Sequence, residues 1–336
     1  MGAETVPRPR GQVSVPEVDR REWATFKARF ISPEGRVVDT GNKGVSHSEG
    51  QGVGMLLAVA FDDRDTFDRL RSWTAANLRR TDGLHAWRWI PGQVEHVPDT
   101  NNATDGDLYI AGALNRASLR WQSPAYADAA QVTARSILDQ LVETIGPRMV
   151  LLPGAEGFVK RTHIAVNLSY YIFPLLQELD IACPSPNWGR LQRDGATLIA
   201  EGRFGPWQLP PDWLEIRRAD GSLAPARGFP ARFSYDAVRV PLFLAWSGEQ
   251  PAVTQAIAAF WAQGPQSLPR WADLQTNMTD RLWGSGIQAI AALIDPRLGG
   301  RQKGRFPQTS PQDDYYSSSL LLLSGLAYRE NVATVS

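Results

Sequence analysis

The chain has one cysteine, Cys183, so no disulfide can close within it. That fits a reducing compartment, and equally an exported bacterial protein that folds without disulfides. Its four histidines, His47, His85, His96 and His163, show no HExxH or similar zinc spacing, so we expect no catalytic metal. There is no run of eighteen apolar residues, and nothing is expected to span a membrane. Net charge is absent too: Lys+Arg and Asp+Glu each number 35, so no global field favours nucleic acid or an anionic surface. Residues 1–20 lack an apolar h-region and carry several Pro and Arg, so no signal peptide is expected within this chain. A Met1-Gly2 start before a Pro-rich stretch is consistent with a start that replaces a removed leader. No low-complexity linker divides the sequence.

What is present is ample material for a large core. The 336 residues are 43% hydrophobic and 21% charged, ordinary for a globular protein of one large domain or two smaller ones. The 12 tryptophans are many for this length. Core packing explains some, and a surplus in a neutral protein also fits sugar binding, where flat apolar sugar faces stack on rings.

Helical periodicity dominates after an extended, Pro-bearing arm at residues 1–18. The pattern predicts helices over Asp19–Phe30, Ser46–Phe61, Arg64–Leu78, Thr104–Trp121, Ala125–Ile145, Ile164–Leu179, Trp188–Glu201, Ser234–Trp246, Ala252–Gln263, Arg281–Leu293 and Tyr315–Tyr328. Two stretches read as extended: Arg148–Lys160, and Leu214–Arg227, a hairpin by its Asp220-Gly221 turn signal. About twelve helices with no strand alternation argue for an all-α single domain over 19–330, followed by a short tail at 331–336. Two concentric rings of helices would bury that many faces; periodicity alone does not separate such a barrel from an α-solenoid.

Three constellations carry chemistry. Ser48-Glu49-Gly50-Gln51-Gly52-Val53-Gly54 sets a carboxylate and three glycines in the first turns of a helix. Each glycine costs about 1 kcal/mol there relative to alanine, so something must approach the backbone closely. The plainer reading of Ser46-x-x-Glu49 is a capping box. The second constellation is Ala103-Thr104-Asp105-Gly106-Asp107, where Thr104-x-x-Asp107 is equally a cap with an acidic residue at the positive helix end. The helix it opens is apolar nearly all round, which would set Asp105 at the mouth of a buried helix. In the third, Ser234-Tyr235-Asp236-Ala237-Val238-Arg239, Asp236 and Arg239 are three apart and can pair. That is either a structural ion pair or a base whose orientation and charge are held. Separated carboxylates facing a cleft are the minimum for hydrolysing a glycosidic bond.

These segments closely resemble the signatures of glycoside hydrolase family 8, which includes endo-β-1,4-glucanases and the cellulase associated with bacterial cellulose synthesis. Ala103–Trp121 follows the pattern A-[ST]-D-[AG]-D-x-x-[IM]-A, with Asn115 where the family usually has an aliphatic residue or Gly. Asn167-Leu168-Ser169-Tyr170 is a fourth match, with Leu where Pro is typical. The resemblance runs in order from about residue 20 to 330. It implies an (α/α)6 barrel with a few short β-hairpins, no cofactor and an inverting mechanism. Glu49 would be the general acid, Asp236 the general base, and Asp105 would hold the sugar at the cleavage point. Arg239 would keep Asp236 ionised. Tyr170 matches a substrate-contacting tyrosine, while Trp87, Trp89 and Tyr316 are looser candidates for the cleft wall, with core packing as the alternative for each.

The leading expectation is therefore an endo-β-1,4-glucanase acting on cellulose, periplasmic or secreted, with loose association to a cellulose synthase complex as a conceivable partner. The same fold acting on chitosan, xylan or mixed-linkage β-glucan is the alternative. Chitosan is cationic and calls for an acid-lined cleft, of which the chain shows no obvious sign. A non-catalytic carbohydrate-binding protein is the third reading.

Overall fold

The computed structural model describes residues 17–263, 268–280, 284–298 and 307–335. Most of the arm expected at 1–18 lies outside them. The described residues form eleven α-helices, two 3-10 turns and nine short strands: α1 (Glu17–Phe30), β1 (Ser46–His47), α2 (Ser48–Ala60), α3 (Arg64–Asn77), β2 (Arg88–Trp89), α4 (Thr104–Trp121), α5 (Pro124–Gln140), β3 (Val142–Ile145), β4 (Arg148–Leu151), β5 (His163–Val166), a 3-10 turn (Leu168–Tyr170), α6 (Phe173–Ala182), α7 (Pro186–Glu201), β6 (Leu214–Arg217), β7 (Leu223–Pro225), β8 (Arg232–Phe233), a second 3-10 turn (Ala237–Arg239), α8 (Val240–Ser247), α9 (Pro251–Trp261), β9 (Ala272–Asp273), α10 (Ser285–Ile294) and α11 (Tyr315–Val335).

Six helices make a closed ring. α2 packs on α4, α4 on α6, α6 on α8, α8 on α10, α10 on α11, and α11 returns to α2. Around them α3 lies on α2, α5 on α4 and α6, α7 on α6, α9 on α8 and α10, and α1 on α11. This is the two-ring α/α barrel. The sequence sorts helices between the rings by how much of each is apolar. The inner α8, VPLFLAWS, is buried almost all round, whereas the outer α7 buries only one face, through Trp188, Leu191, Gly195, Ala196, Leu198 and Ile199. One contiguous apolar cluster runs from Trp23 on α1 to Ala327 on α11. Five tryptophans, Trp23, Trp73, Trp188, Trp246 and Trp261, are buried.

Helix starts follow local chemistry. Asp63 caps α3 by accepting from the Thr66 N–H at 3.2 Å, and Ser185 caps α7 by accepting from Asn187 N–H at 3.3 Å. Proline opens α5, α6, α7, α8 and α9 within their first two positions, where a missing N–H costs nothing.

Several expected boundaries moved, each for a physical reason. Ile164–Leu179 is not one helix: His163–Val166 is the strand β5, and α6 begins only at Phe173, ahead of Pro174. The helix expected to reach Ile145 ends at Gln140, because Val142–Ile145, with β-branched Val142, Thr144 and Ile145, turns at Gly146 (φ +57°) and pairs with β4. Ser46 lies in β1, paired with Trp89, so α2 starts two residues later than expected. Arg281, the expected start of α10, is outside the described residues. α11 runs on to Val335, through most of the stretch expected to be a tail. The hairpin at Leu214–Arg217 and Leu223–Pro225 forms as expected, though its connection is longer than two residues.

Candidate active site

The N-terminal ends of inner helices converge at one end of the ring. Glu49 is in the first turn of α2, Asp105 in the first turn of α4, Asp236 and Arg239 lie on the turn leading into α8, and Tyr316 is in the first turn of α11. Tyr170 closes the 3-10 turn before α6. The helix ends offer partial positive charge to a cluster of carboxylates.

One guanidinium joins the three sequence-selected acids. Arg239 Nη1 is 3.1 Å from Glu49 Oε1 and 3.0 Å from Asp105 Oδ2, while Nη2 is 2.8 Å from Asp236 Oδ1. Nη2 also donates to Ser169 Oγ at 3.0 Å, and the guanidinium lies over the Tyr170 ring at 5.8 Å. A planar fork with several donors can serve several acceptors at once; a lysine ammonium cannot reproduce that spread. The acids differ in access. The side chains of Glu49 and Asp236 are 24% and 26% exposed, and that of Asp105 only 2%.

Electrostatics separates them further. Burial pushes the Glu49 carboxyl above its usual range, and the charges of Asp236 and Asp39 push the same way, against the pull of Arg239. Asp105 is pushed up to about 7, chiefly by burial and then by Glu49, again against Arg239. Arg239 itself is held firmly charged, because the surrounding carboxylates outweigh its burial.

The glycines find their explanation in helix packing. A Cβ on Gly52 would stand 2.5 Å from the Cβ of Tyr109 on α4, and one on Gly106 would stand 2.1 Å from Ser48 Oγ. The close approach is therefore that of α4 to α2, which brings Asp105 and Glu49 to the same guanidinium. The capping readings do not hold. The residue preceding α2 is His47, with no side-chain cap, while Ser46 Oγ accepts from Arg36 at 3.0 Å. Ala103 precedes α4, and Thr104 Oγ1 donates to the Leu152 carbonyl at 2.6 Å. Asp107 is structural, accepting at 2.9 Å from the His85 and Asn102 side chains.

The aromatic candidates divide. Tyr170 is 9% exposed and borders Asp105, Asp236, Arg239 and Glu49. The Tyr316 hydroxyl donates to the Tyr235 carbonyl, and its ring meets Tyr235 edge-on at 5.9 Å. Trp87 stacks on His47 at 6.0 Å, and its carbonyl accepts from Ser48 N–H at 3.0 Å, one residue from the acid. Trp89 packs on a satellite cluster of Trp73, Leu78 and Ala86, with His96 stacked at 4.2 Å and Arg36 over its ring at 4.9 Å. Its partners are those of a packing residue.

Sequence reasoning missed Ser169, His47, Asp39 and Asp212. Ser169 was legible within its motif. His47 lies 3.7 Å from Asp39, and only the fold sets that pair beside Glu49. Among the described residues no group of three metal-ligating side chains stands together, and no helix is long and apolar enough to cross a membrane.

Comparison with known proteins places this geometry. The family model for glycosyl hydrolases family 8 matches residues 12–331. A probable endoglucanase of Novacetimonas hansenii is 44% identical over 320 residues, covering 94% of this chain and 92% of its own length. An endoglucanase of Cellulomonas uda is 42% identical over 261 residues, covering 76% and 71%. Among solved structures, an endo-β-1,4-glucanase from Acetobacter xylinum superposes with a TM-score of 0.89 at 42% identity, covering 95% of this chain and all of that one, 100%. With motifs, ring of helices and shared guanidinium all in agreement, this chain belongs to glycoside hydrolase family 8 and has its (α/α)6 barrel.

Proposed function

We propose that the protein is an endo-β-1,4-glucanase that cleaves by inversion, with Glu49 as general acid and Asp236 as general base. The observation that carries the reading is the single guanidinium of Arg239 shared by three carboxylates of unequal exposure. Glu49 is half-buried and its burial favours the protonated form, which suits a group that must donate to the leaving glycosidic oxygen. Asp236 is paired with a fixed cation on a short turn, which holds its aim toward a water on the opposite sugar face. Glu49 and Asp236 meet different nitrogens of the fork, Nη1 and Nη2, and inversion needs room for a water between the two acids. Asp105, buried and poised near neutrality, suits a hydrogen bond to a sugar hydroxyl at the cleavage point. Tyr170, Tyr316 and Trp87 suit the cleft wall.

The substrate follows from the endoglucanase relatives and the absence of an acid-rich composition that a cationic polymer would call for. A β-glucan of this kind lies outside the cytoplasm, so the site of action is the periplasm or the exterior. Trimming the cell's own cellulose beside a synthase complex is the physiological role we favour. Release of reducing ends from carboxymethyl-cellulose by the purified chain, lost in Glu49→Gln and Asp236→Asn, tests the activity. Cleavage of chitosan or xylan alone would move the substrate and leave the chemistry.

A further inference from the structure

Asp212 stands immediately ahead of β6, the central strand of the β5–β6–β7 sheet. β5 and β6 are antiparallel with Val166 opposite Leu214, so the end of one strand and the start of the other reach the same place. The β5 end continues into Asn167, Ser169 and Tyr170; the β6 start is preceded by Asp212. Both face the turn that carries Asp236 and Arg239. Asp212 Oδ1 accepts from the N–H groups of Ser234 and Ala237, each at 2.8 Å, and Oδ2 accepts from the Ser234 hydroxyl. Its own N–H donates to the Arg232 carbonyl at 2.7 Å. Four hydrogen bonds thus tie one aspartate to the segment 232–237. They satisfy donors at the start of the 3-10 turn that no helix would satisfy.

The carboxylate is also a charge. It is pushed up to about 6 by burial and by the nearby charge of Asp236, against the three bonds it accepts. The groups facing Asp236 are Arg239 on the same turn, Glu49 from α2, Asp105 from α4, Tyr170 before α6, Tyr316 from α11, and Asp212.

We propose that Asp212 is a positioning residue for hydrolysis: its carboxylate fixes the turn that aims Asp236 and Arg239. The inference rests on Asp236 being the general base. Asp212→Asn keeps an oxygen for the two N–H donors and removes the charge. Asp212→Ala removes both.

The test is kcat and KM for the intact parent, Asp212→Asn and Asp212→Ala on carboxymethyl-cellulose, with amide hydrogen exchange over residues 232–239. The expected result for Asp212→Ala is a loss of about 10²-fold in kcat with KM within about threefold, from a misaimed base. Exchange at Ala237 rises in that variant. For Asp212→Asn, which keeps an acceptor for the two N–H donors, kcat stays within about threefold of the parent. Parent-like kcat and exchange in Asp212→Ala would overturn the positioning role, and so would a kcat in Asp212→Asn as low as in Asp212→Ala. Should Asp212→Ala not fold, Asp212→Glu decides: its longer arm displaces the turn, so kcat falls with KM held, and a parent-like kcat overturns the role. Should the parent hydrolyse no glucan, the functional reading fails separately, and the exchange at Ala237 still decides the positioning role.

Discussion

Arg239 and Asp105 form an ion pair at 3.0 Å in which both side chains are almost wholly buried, at 3% and 2% exposure. Burying such a pair gains little by itself, because desolvation offsets the attraction. Its value here is that the same cation also reaches the two more exposed acids, so three carboxylates keep fixed distances in a site that opens to solvent. Removing the cation leaves buried negative charge without a partner. Arg239→Met is expected to cost about 3–5 kcal/mol of stability, read by denaturant unfolding, and to abolish turnover. Arg239→Lys is expected to regain part of the stability and little of the activity, since an ammonium does not span three acceptors.

Glu49→Gln and Asp236→Asn are each expected to lower kcat by at least about 10²-fold, the usual contribution of a positioned acid or base. Binding of cello-oligosaccharide, measured by calorimetry, is expected to survive in both. Near-parent turnover in either variant would remove that residue from the mechanism.

Asp105 binds its proton more tightly in the folded chain than in the unfolded one, since it is pushed up to about 7. Between the ordinary aspartate range and pH 7 the native state therefore holds the extra proton, and stability declines as pH rises through that window. Glu49 is shifted in the same direction and adds to the slope. Asp105→Asn is expected to flatten the fall in thermal midpoint between about pH 4 and 7. An unchanged slope would mean that Asp105 ionises as readily folded as unfolded.

Gly52→Ala is expected to destabilise by about 1–3 kcal/mol, because overpacking against Tyr109 outweighs the gain in helix propensity. The new Cβ would lie 2.5 Å from the Tyr109 Cβ and 2.9 Å from the Ile110 nitrogen, and the latter is backbone and cannot swing aside. Denaturant unfolding checks the loss. A stabilised variant would mean that α2 and α4 separate freely.

Trp87 and Trp89 are expected to part company on mutation. Trp89→Ala should lower stability, since it empties the cluster with Trp73 and His96, and leave KM within about threefold. Trp87→Ala should raise KM for long glucans by about tenfold at similar stability. Kinetics paired with thermal unfolding separates the two.

What the sequence made legible was what is local. Glu49 and Asp105 each sit in the first turn of an inner helix and Asp236 on the 3-10 turn that leads into α8, which starts at Val240 and not at Ser234 as expected; all three lie within contiguous motifs, so they could be singled out before any fold was known. The inner α4 was legible from its unbroken apolar surface. The strands were not. His163–Val166 carries no two-residue alternation, being buried on most of its length, and a short apolar run followed by more apolar residues reads as helix. Asp212 was invisible for a different reason. It serves Ser234 and Ala237 from 22 and 25 residues away, and no spacing rule links a single aspartate after two prolines to a turn on another element. The glycines were read correctly as sites of close approach. That the approaching groups were Tyr315 of α11 at Gly50, Tyr109 of α4 at Gly52, and Val37 with Leu70 of α3 at Gly54 followed only from the fold.

The stereochemistry of the first product tests the central claim most directly. An NMR time course on soluble cello-oligosaccharides follows the anomeric protons before mutarotation. Hydrolysis by Glu49 and Asp236 acting across a water predicts that the α-anomer appears first and the β-anomer grows in later. Initial release of the β-anomer would require a covalent intermediate and would contradict the assignment of Asp236 as a general base.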